Sequence, residues 1–296
     1  MENLVSFCIP VKNGMGNIER LIDSIFKQSY QNFEIIISDN NSDDDTAAIC
    51  EKYQAEDDRV RYVRHNQTLS AADNFRFVFD QAGSEYFMWA AHDDRHSLNY
   101  VETLVGKLKN EQMASLVFSG VAIFHQTEKW HSTECKSYQL KSDEKCGFWN
   151  GLLVRDYIHS GYLHIYGLIR CSALEGYTWP SIEFGGDRPL LLFLWCRGSF
   201  ISVPGTCFYC YKQEKKKTMD ERALNISGKG MRNFAYTRLS WVSAQAAQKA
   251  EYLEGRRRNL YMIFVFLLIL ETSKQAYRFL RHITGRMLRS IGLFAD

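Results

Sequence analysis

The feature that most constrains the fold is an alternation of short apolar runs and amphipathic segments over the first 124 residues. The apolar runs have strand length, and one of them alternates with arginines as a half-buried strand does. These predicted strands are residues 5–9, 33–37, 60–63, 86–91 and 116–124. Apolar residues at helical spacing between them predict helices at 18–26, 71–82 and 100–108. This alternation predicts a mostly parallel sheet covered by helices on both faces.

The pattern becomes less regular after residue 124. Residues 125–149 are polar and predict a loop-rich insertion, and an apolar segment opening at Asp187 predicts a helix. Short apolar stretches predict a helix at 151–158 and strands at 163–170, 200–203 and 207–211. We therefore expect one α/β domain over residues 1–215, with halves of about 1–124 and 125–215. A separate helical region is expected over residues 216–296.

Charge and the N-terminal sequence exclude some classes of protein. The formal net charge of +2 does not indicate a general nucleic-acid binder. The chain enters a predicted strand almost at once, without a basic segment, a long apolar segment and a small-residue cleavage site. A secretory signal is not expected, so we expect a cytoplasmic chain.

Polar residues directly follow three of the predicted strands, where open α/β sheets bind their ligands. The sharpest of these signals is Asp93-Asp94. Two adjacent carboxylates can hold Mg²⁺ or Mn²⁺, with substrate phosphates and water completing the coordination. The alternative is that Asp94 caps the following helix and Asp93 is merely solvated.

The other strand ends carry groups that can bind a nucleotide. Asp39 can accept hydrogen bonds from a base or ribose, and Lys12 and Asn13 can contact the same ligand. Each is equally compatible with an ordinary turn, and Ser42 with Asp45 resembles a capping box for the next helix. Asn74, near the start of a predicted helix, can reach the same cleft.

Asp187 follows two glycines and precedes an apolar helix. A carboxylate placed this way suits a general base that meets an acceptor hydroxyl, although Asp is also a common helix N-cap. The sequence contains no phosphate-binding loop of the GxxxxGK[ST] type, no GxGxxG after a strand and no GxSxG elbow.

Taken in order, these segments resemble family 2 glycosyltransferases. Residues 5–13 and 33–44 are similar to the opening of that family, and residues 88–94 to its metal motif. Residues 185–198 are similar to the segment that carries its catalytic base, and residues 208–212 to the aromatic strand that closes its catalytic domain. The likeness covers residues 4–212.

The resemblance implies a GT-A fold, a Rossmann-like mixed sheet covered by helices, here with a C-terminal helical extension. It implies inverting, metal-dependent transfer from a nucleotide-sugar, with uridine diphosphate as the commonest carrier and Asp187 as the base. Asp93 would hold the metal or the ribose, with Asp94 beside it, and Mn²⁺ or Mg²⁺ as the ion. The residues implied in nucleotide-sugar binding are Pro10, Lys12, Asn13, Asp39, Asn74 and Asp93, with Asp39 on the base.

Two positions depart from the family pattern. Many relatives carry an aspartate two positions before the one matching Asp93, where this chain has Ala91, and Lys12 replaces a residue that is commonly aromatic or small. The first departure keeps open a catalytically inactive nucleotide-sugar-binding or scaffold protein of the same fold. A nucleotidyltransferase would need a richer triphosphate loop than residues 14–17 provide.

The C-terminal region combines three arginines at 256–258, an apolar run at 260–270 and a mixed apolar and arginine-rich segment at 277–291. The run is shorter than the ~20 residues of a membrane-spanning helix, but the pattern suits a helix lying on an anionic membrane. The alternatives are packing on the catalytic domain or on a subunit partner, which allows a homo-oligomer. Membrane contact would favour a lipid-linked saccharide as acceptor, in surface polysaccharide biosynthesis at the inner face of the cytoplasmic membrane.

Overall fold

The computed structural model describes residues 4–126, 161–179 and 187–213. The C-terminal region predicted over 216–296, the helix predicted at 151–158 and nearly all of the predicted insertion at 125–149 lie outside these ranges. The strands are β1 Val5–Val11, β2 Phe33–Asp39, β3 Val60–Arg64, β4 Tyr86–Trp89, β5 Arg95–His96, β6 Ala114–Gln126, β7 Leu168–Arg170 and β8 Ser199–Gln213. The α-helices are α1 Ile18–Phe26, α2 Thr46–Glu56, α3 Ala71–Asp80, α4 Tyr100–Asn110 and α5 Asp187–Arg197. Two 3₁₀ helices span Gly161–Tyr166 and Cys171–Leu174.

The strands form one mixed sheet in the order β3-β2-β1-β4-β7-β6-β8-β5. The first four strands of this order are parallel, which confirms the parallel arrangement predicted for the first half of the chain. β7 then runs antiparallel to both β4 and β6, and β8 is parallel to β6. The two-residue β5 pairs antiparallel with β8. The carboxyl ends of β1, β2, β4, β6 and β8 therefore point the same way.

Helices cover both faces of the sheet and bury apolar side chains against it. In α1 the residues at helical spacing, Ile18, Leu21, Ile22 and Ile25, are all fully buried. One hydrophobic core packs α1, α2 and α4 against the sheet, and the second packs α3 and α5 against the opposite face. No helix in the described part of the chain is both long enough and apolar enough to cross a membrane.

Two strand predictions in the second half need correction. Residues 163–170, predicted as one strand, form the end of a 3₁₀ helix and then the three-residue β7. The break falls at Gly167, where a Cβ would lie 2.6 Å from the carbonyl oxygen of Val117. Residues 200–203 and 207–211 belong to a single strand, β8, whose register against β6 shifts between Ser119 and Gly120.

The capping box predicted from Ser42 and Asp45 is wrong. Helix α2 begins at Thr46, and Asp45 makes no side-chain capping bond. Asp44 instead accepts a hydrogen bond from the Thr46 backbone N–H, at 3.0 Å. Ser42 Oγ accepts from the backbone N–H of Asn13, at 2.9 Å, so it joins two loops and does not cap the helix.

Candidate active site

Asp93 and Asp94 lie in a tight turn after β4 but have different surroundings. The turn is closed by the Asp94 N–H, which donates to the Ala91 carbonyl at 3.0 Å. Asp94 is only 3% exposed, and its Oδ1 accepts from the backbone N–H of Tyr211 on β8, at 2.9 Å. Asp93 is half-buried. Asp94 thus joins the turn to β8, while the Asp93 carboxylate is the more accessible of the two.

Asp187 is brought to the same region by the sheet topology. It is the first residue of α5 and is half-buried. Burial raises the pKa of Tyr166 well above its ordinary value, and the charges of Asp94, Cys210, Asp93 and Asp187 raise it further. The three predicted acids, which are at most 94 residues apart in sequence, are therefore all within electrostatic reach of one tyrosine.

Asp187 also raises the pKa of Tyr177, although burial is the larger cause. Of the two tyrosines, Tyr177 contacts α5 directly, since the centroid of its ring lies 5.0 Å from that of Phe193. Neither was singled out in the sequence, because Tyr166 falls in a segment predicted as a strand and Tyr177 follows no recognisable motif.

Asp39 lies at the end of β2, as predicted, but its side chain is fully buried. Oδ1 accepts from both the backbone N–H, at 2.9 Å, and the hydroxyl, at 2.5 Å, of Ser42. Oδ2 accepts from the Tyr62 hydroxyl at 2.7 Å and lies 3.9 Å from the Arg64 guanidinium. Burial raises the pKa of Tyr62, and its hydrogen bond to Asp39 raises it further. A nucleoside that reaches this carboxylate has to displace the groups that cover it.

Asn74 is also buried, beneath the end of β2. Its amide oxygen accepts from Ser38 Oγ at 2.6 Å, and its amide nitrogen donates to the Ser38 carbonyl at 3.2 Å. His65 Nε2 lies 2.9 Å from the same hydroxyl. Asn74 therefore anchors α3 to β2, and these contacts connect it to the edge of the site through Ser38.

Lys12 and Asn13 occupy the exposed loop after β1, and Pro10 is buried within that strand. Lys12 Nζ donates to Thr68 Oγ1 at 2.9 Å. Asn13 adopts the left-handed conformation, with φ of 54°, and its Oδ1 accepts from the Asp43 N–H at 3.1 Å. The structure thus brings these residues to the carboxyl ends of β1 and β2, beside Asp39.

Gly14 packs this loop against the turn that carries the acids. A Cβ on Gly14 would lie 2.5 Å from Val11 Cγ2 and 3.6 Å from His92 Cδ2. A side chain at position 14 would meet Val11, and His92 of the Asp93 turn lies in van der Waals reach of the same position, so the loop after β1 lies next to that turn. The sequence predicted that this loop contacts a nucleotide or forms an ordinary turn, but it did not predict the contact with the Asp93 turn.

Arg95 is a further charged group that the sequence analysis missed, although it follows Asp94 directly. Its Nη1 donates to the Asp94 carbonyl at 2.6 Å. Burial lowers its pKa, and the charge of Arg20 lowers it further, while Tyr211, Asp94 and Asp93 act in the opposite direction.

The sequence matches the model of the family described as Glycosyl transferase family 2 over residues 6–177, which is more than half of the 296 residues. The chain belongs to glycosyltransferase family 2. The match includes the Asp39 and Asp93 regions and ends before Asp187.

Relatives of this family 2 member come from several bacteria. The glycosyltransferase GlyG of Streptococcus pneumoniae is 31% identical over 111 residues, covering 38% of this chain and 37% of that protein. A GalNAc(5)-diNAcBac-PP-undecaprenol β-1,3-glucosyltransferase of Campylobacter jejuni is 28% identical over 197 residues, covering 66% of this chain and 61% of that protein. The chain thus spans less than two thirds of the length of these relatives.

Among solved structures, S. aureus TarS residues 1–349 in complex with UDP-GlcNAc matches 90% of this chain and 72% of that one. The TM-score is 0.66 at 15% sequence identity, so the likeness concerns the fold. Together with the mixed sheet, it confirms the GT-A fold predicted from the sequence.

Proposed function

We propose that this chain transfers a sugar from a nucleotide-diphosphate sugar, a UDP-sugar, to a hydroxyl of a glycan or lipid-linked acceptor, with inversion at the anomeric carbon. The observation that carries the proposal is the position of the Asp93-Asp94 turn after β4, at the edge of the sheet where the parallel strands β1 and β2 also end and carry Lys12, Asn13 and Asp39. The UDP-GlcNAc complex of TarS and the polyprenol-linked substrate in the name of the Campylobacter relative support the choice of donor and acceptor class. Surface polysaccharide biosynthesis is the corresponding role.

On the donor side, Pro10, Lys12 and Asn13 border the nucleoside, with Asp39 and Asn74 behind them. Lys12 is exposed and carries a positive charge, which suits a contact with the diphosphate or the ribose. Asp39 Oδ2 accepts from one hydroxyl in this structure, and a carboxylate oxygen can accept a second hydrogen bond. We propose that Asp39 accepts a hydrogen bond from a base N–H after the side chains that cover it, those of Ser42 and Tyr62, move aside.

A divalent cation, Mn²⁺ or Mg²⁺, fits the Asp93-Asp94 turn by the chemistry of its donors. Such ions commonly bind through one or two carboxylates, with phosphate and water oxygens completing the shell. The accessible Asp93 is the proposed main ligand, since Asp94 Oδ1 is already bonded to the Tyr211 N–H. The ion would neutralise charge on the departing diphosphate.

In the transfer step, Asp187 takes the proton of the acceptor hydroxyl. The acceptor oxygen forms a bond to the anomeric carbon from the face opposite the diphosphate. The bond between that carbon and the diphosphate oxygen breaks, and the nucleoside diphosphate leaves with the electron pair. One displacement inverts the configuration, and a positioned base typically contributes ~10²–10⁴-fold in rate.

Nucleotide binding is tested first, by thermal unfolding of the full chain with UDP, GDP, CDP and ADP, each with and without Mn²⁺. We expect UDP with Mn²⁺ to stabilise the protein by about 2.7 kcal/mol at a hundredfold excess over its dissociation constant. Asp93→Asn should abolish the Mn²⁺-dependent part. Asp58→Asn, an exposed change on the α2–β3 loop, is the matched control and should behave as wild type. Well-folded protein with no shift for any diphosphate would refute the donor site.

The role of Asp187 is tested by comparing transfer with binding. Asp187→Asn should lower turnover by about 10²–10⁴-fold and leave UDP stabilisation intact, because the base acts only in the chemical step. Asp58→Asn again serves as control. Equal turnover in wild type and Asp187→Asn would exclude this residue as the base.

The alternative is a catalytically inactive nucleotide-sugar-binding or scaffold protein of the same fold. The observation that favours it is Ala91, which stands where many relatives carry an aspartate. Ala91 has no carboxylate and contributes its backbone carbonyl to the turn. Under this alternative UDP binds, but neither wild type nor any variant releases UDP from a UDP-sugar. Coupled detection of UDP in the presence and absence of candidate acceptors separates the two proposals.

We also propose that the chain contacts the inner face of the cytoplasmic membrane and self-associates. In both cases the arginine-rich C-terminal region would make the contact. Flotation with vesicles containing anionic lipid tests the first. Full-length chain should float with anionic and not with zwitterionic vesicles, and the bound fraction should fall with salt. Sedimentation analysis of the same chain tests the second.

A further inference from the structure

A row of planar side chains stands on one face of the sheet next to the proposed site. Phe124 on β6 is in register with Tyr211 on β8, and Tyr209 on β8 is in register with Arg95 on β5. Residues two apart in a strand share a face, so all four side chains project from the same side. The row crosses three neighbouring strands.

The members of the row contact one another. The rings of Phe124 and Tyr211 are stacked, with centroids 5.0 Å apart and an interplanar angle of 17°. Phe124 and Tyr209 have centroids 6.0 Å apart. The Arg95 guanidinium carbon lies 5.8 Å from the centre of the Tyr211 ring. Tyr211 is 38% exposed, and the other three are half-buried, so the distal edges of the row form a shelf at the surface.

The shelf is attached to the proposed site in two ways. The backbone N–H of Tyr211 donates to Asp94 Oδ1, at 2.9 Å, which fixes the shelf beside the Asp93 turn. In addition, Leu116 and Phe118 pack against α5, and they share a face of β6 with Phe124.

The direction of α5 gives the relation of the shelf to Asp187. Only Gly198 separates the end of α5 from the start of β8, so the first residue of the helix, Asp187, points toward the carboxyl ends of β6 and β8. The shelf therefore lies beyond Asp187, in the direction in which β6 and β8 run.

The chemistry of the shelf matches a saccharide. A pyranose presents apolar C–H groups and hydroxyls on one ring, and the shelf offers aromatic carbon together with a phenol hydroxyl and guanidinium N–H donors. Sites of this mixed kind, mostly aromatic with a few polar groups, are typical of small-ligand binding. We infer that Arg95, Phe124, Tyr209 and Tyr211 form an acceptor subsite that binds a sugar unit adjoining the one that receives the transferred residue. The inference rests on the proposed function.

The test uses saturation-transfer NMR on the full chain with UDP and Mn²⁺ present. The probes are the methyl glycosides of glucose, galactose, N-acetylglucosamine and N-acetylgalactosamine, and the disaccharides lactose and chitobiose. We expect at least one probe to receive saturation from the wild type and to bind about tenfold more weakly to Tyr211→Ala. Tyr211→Phe, which keeps the stacked ring, should lose less. Leu98→Ala, which removes an exposed apolar side chain elsewhere, is the control and should match wild type.

UDP binding is measured on the same samples, so that the two proposals fail separately. If UDP does not stabilise the wild type, the proposed donor site is refuted. Intact UDP binding, with no probe bound or with equal saturation in wild type and Tyr211→Ala, overturns the acceptor subsite. Phe124→Ala is a second variant at the shelf in case Tyr211→Ala does not fold, and the same outcomes apply to it.

Discussion

At the scale of single residues, burial separates the side chains that connect the parts of the site from the two acids proposed to act in the reaction. Asp39, Asn74 and Asp94 are at most 6% exposed and each bonds to a neighbouring loop or strand. Asp93 and Asp187 are half-buried at the same edge of the sheet. The proposed metal ligand and the proposed base are thus the less buried of these acids.

His96 gives a residue-scale prediction about pH. It is 6% exposed, packs on Tyr100 and Phe208, and neither ring nitrogen has a hydrogen-bond partner among the described residues. Burial, followed by the charge of Arg95, lowers its pKa from 6.5 to about 3. Between these values the unfolded chain binds a proton that the folded chain does not, so stability falls as pH falls from 6.5 toward 3. The slope from this group approaches about 1.4 kcal/mol per pH unit.

The measurement is urea unfolding of metal-free wild type and His96→Phe between pH 7 and 4. The carboxylates titrate in both proteins, so the difference between the two isolates His96. We expect the variant to gain stability relative to wild type as the pH falls. A constant difference across this range would show that folding does not lower the pKa of His96.

At the scale of elements, the position of the site depends on tight backbone contacts where a helix connects to a strand. Gly198 joins α5 to β8, and a Cβ there would lie 2.6 Å from the Met113 carbonyl oxygen and 2.7 Å from the Ser115 nitrogen. Both are backbone atoms of the segment that enters β6, so no side chain can move aside. The orientation of α5, and with it Asp187, depends on this contact.

Gly198→Ala is therefore expected to destabilise the protein by about 1–3 kcal/mol, the usual cost of overpacking a tight contact. Gly106→Ala is the matched control, because nothing lies within 4 Å of a Cβ there. Gly106 is inside α4, where alanine is favoured by roughly 0.5–1 kcal/mol, so the control should gain stability. Chemical denaturation of the two variants gives the comparison, and a change of equal sign in both would contradict it.

The elements also show how far a single sequence predicts this fold. Strands β1, β2 and β3 and helices α1 and α4 were found within two residues of their predicted bounds, because an apolar run or stripe is a local signal. The strand predicted at 163–170 is confirmed only over 168–170, because the break at Gly167 depends on the Val117 carbonyl, 50 positions away in the chain. The predicted strand ends located Asp39 and Asp94, and the start of a predicted helix located Asn74. The burial of these three side chains depends on partners such as Tyr62, Ser38 and Tyr211, which no local pattern identifies.

At the scale of the whole molecule, one sheet serves two hydrophobic cores. Leu104 of α4 is in the first core and Leu194 of α5 is in the second, and both are fully buried. The strands contribute to both cores, since alternate residues of β1 and β4 are divided between them. We infer that the two faces of the described part unfold together.

Leu104→Ala and Leu194→Ala test this coupling. Each should cost about 2–5 kcal/mol through lost burial and the cavity left behind. If the cores are cooperative, both variants accelerate amide hydrogen exchange in β1 and β6 by similar factors at equal destabilisation. Faster exchange restricted to the face that carries the substitution would show two independent units.

The loop after β1 has a consequence for chemical ageing. Asn13 precedes Gly14, a pair in which the glycine nitrogen can attack the asparagine side chain and release ammonia. Here the Gly14 N–H donates to Thr46 Oγ1 at 2.8 Å, and Asn13 Oδ1 accepts from Asp43. Both reacting groups are held by the neighbouring loop, so the folded chain should keep this amide while the denatured chain loses it. The hydrogen bonds that join this loop to its neighbours thus also preserve the uncharged amide of Asn13.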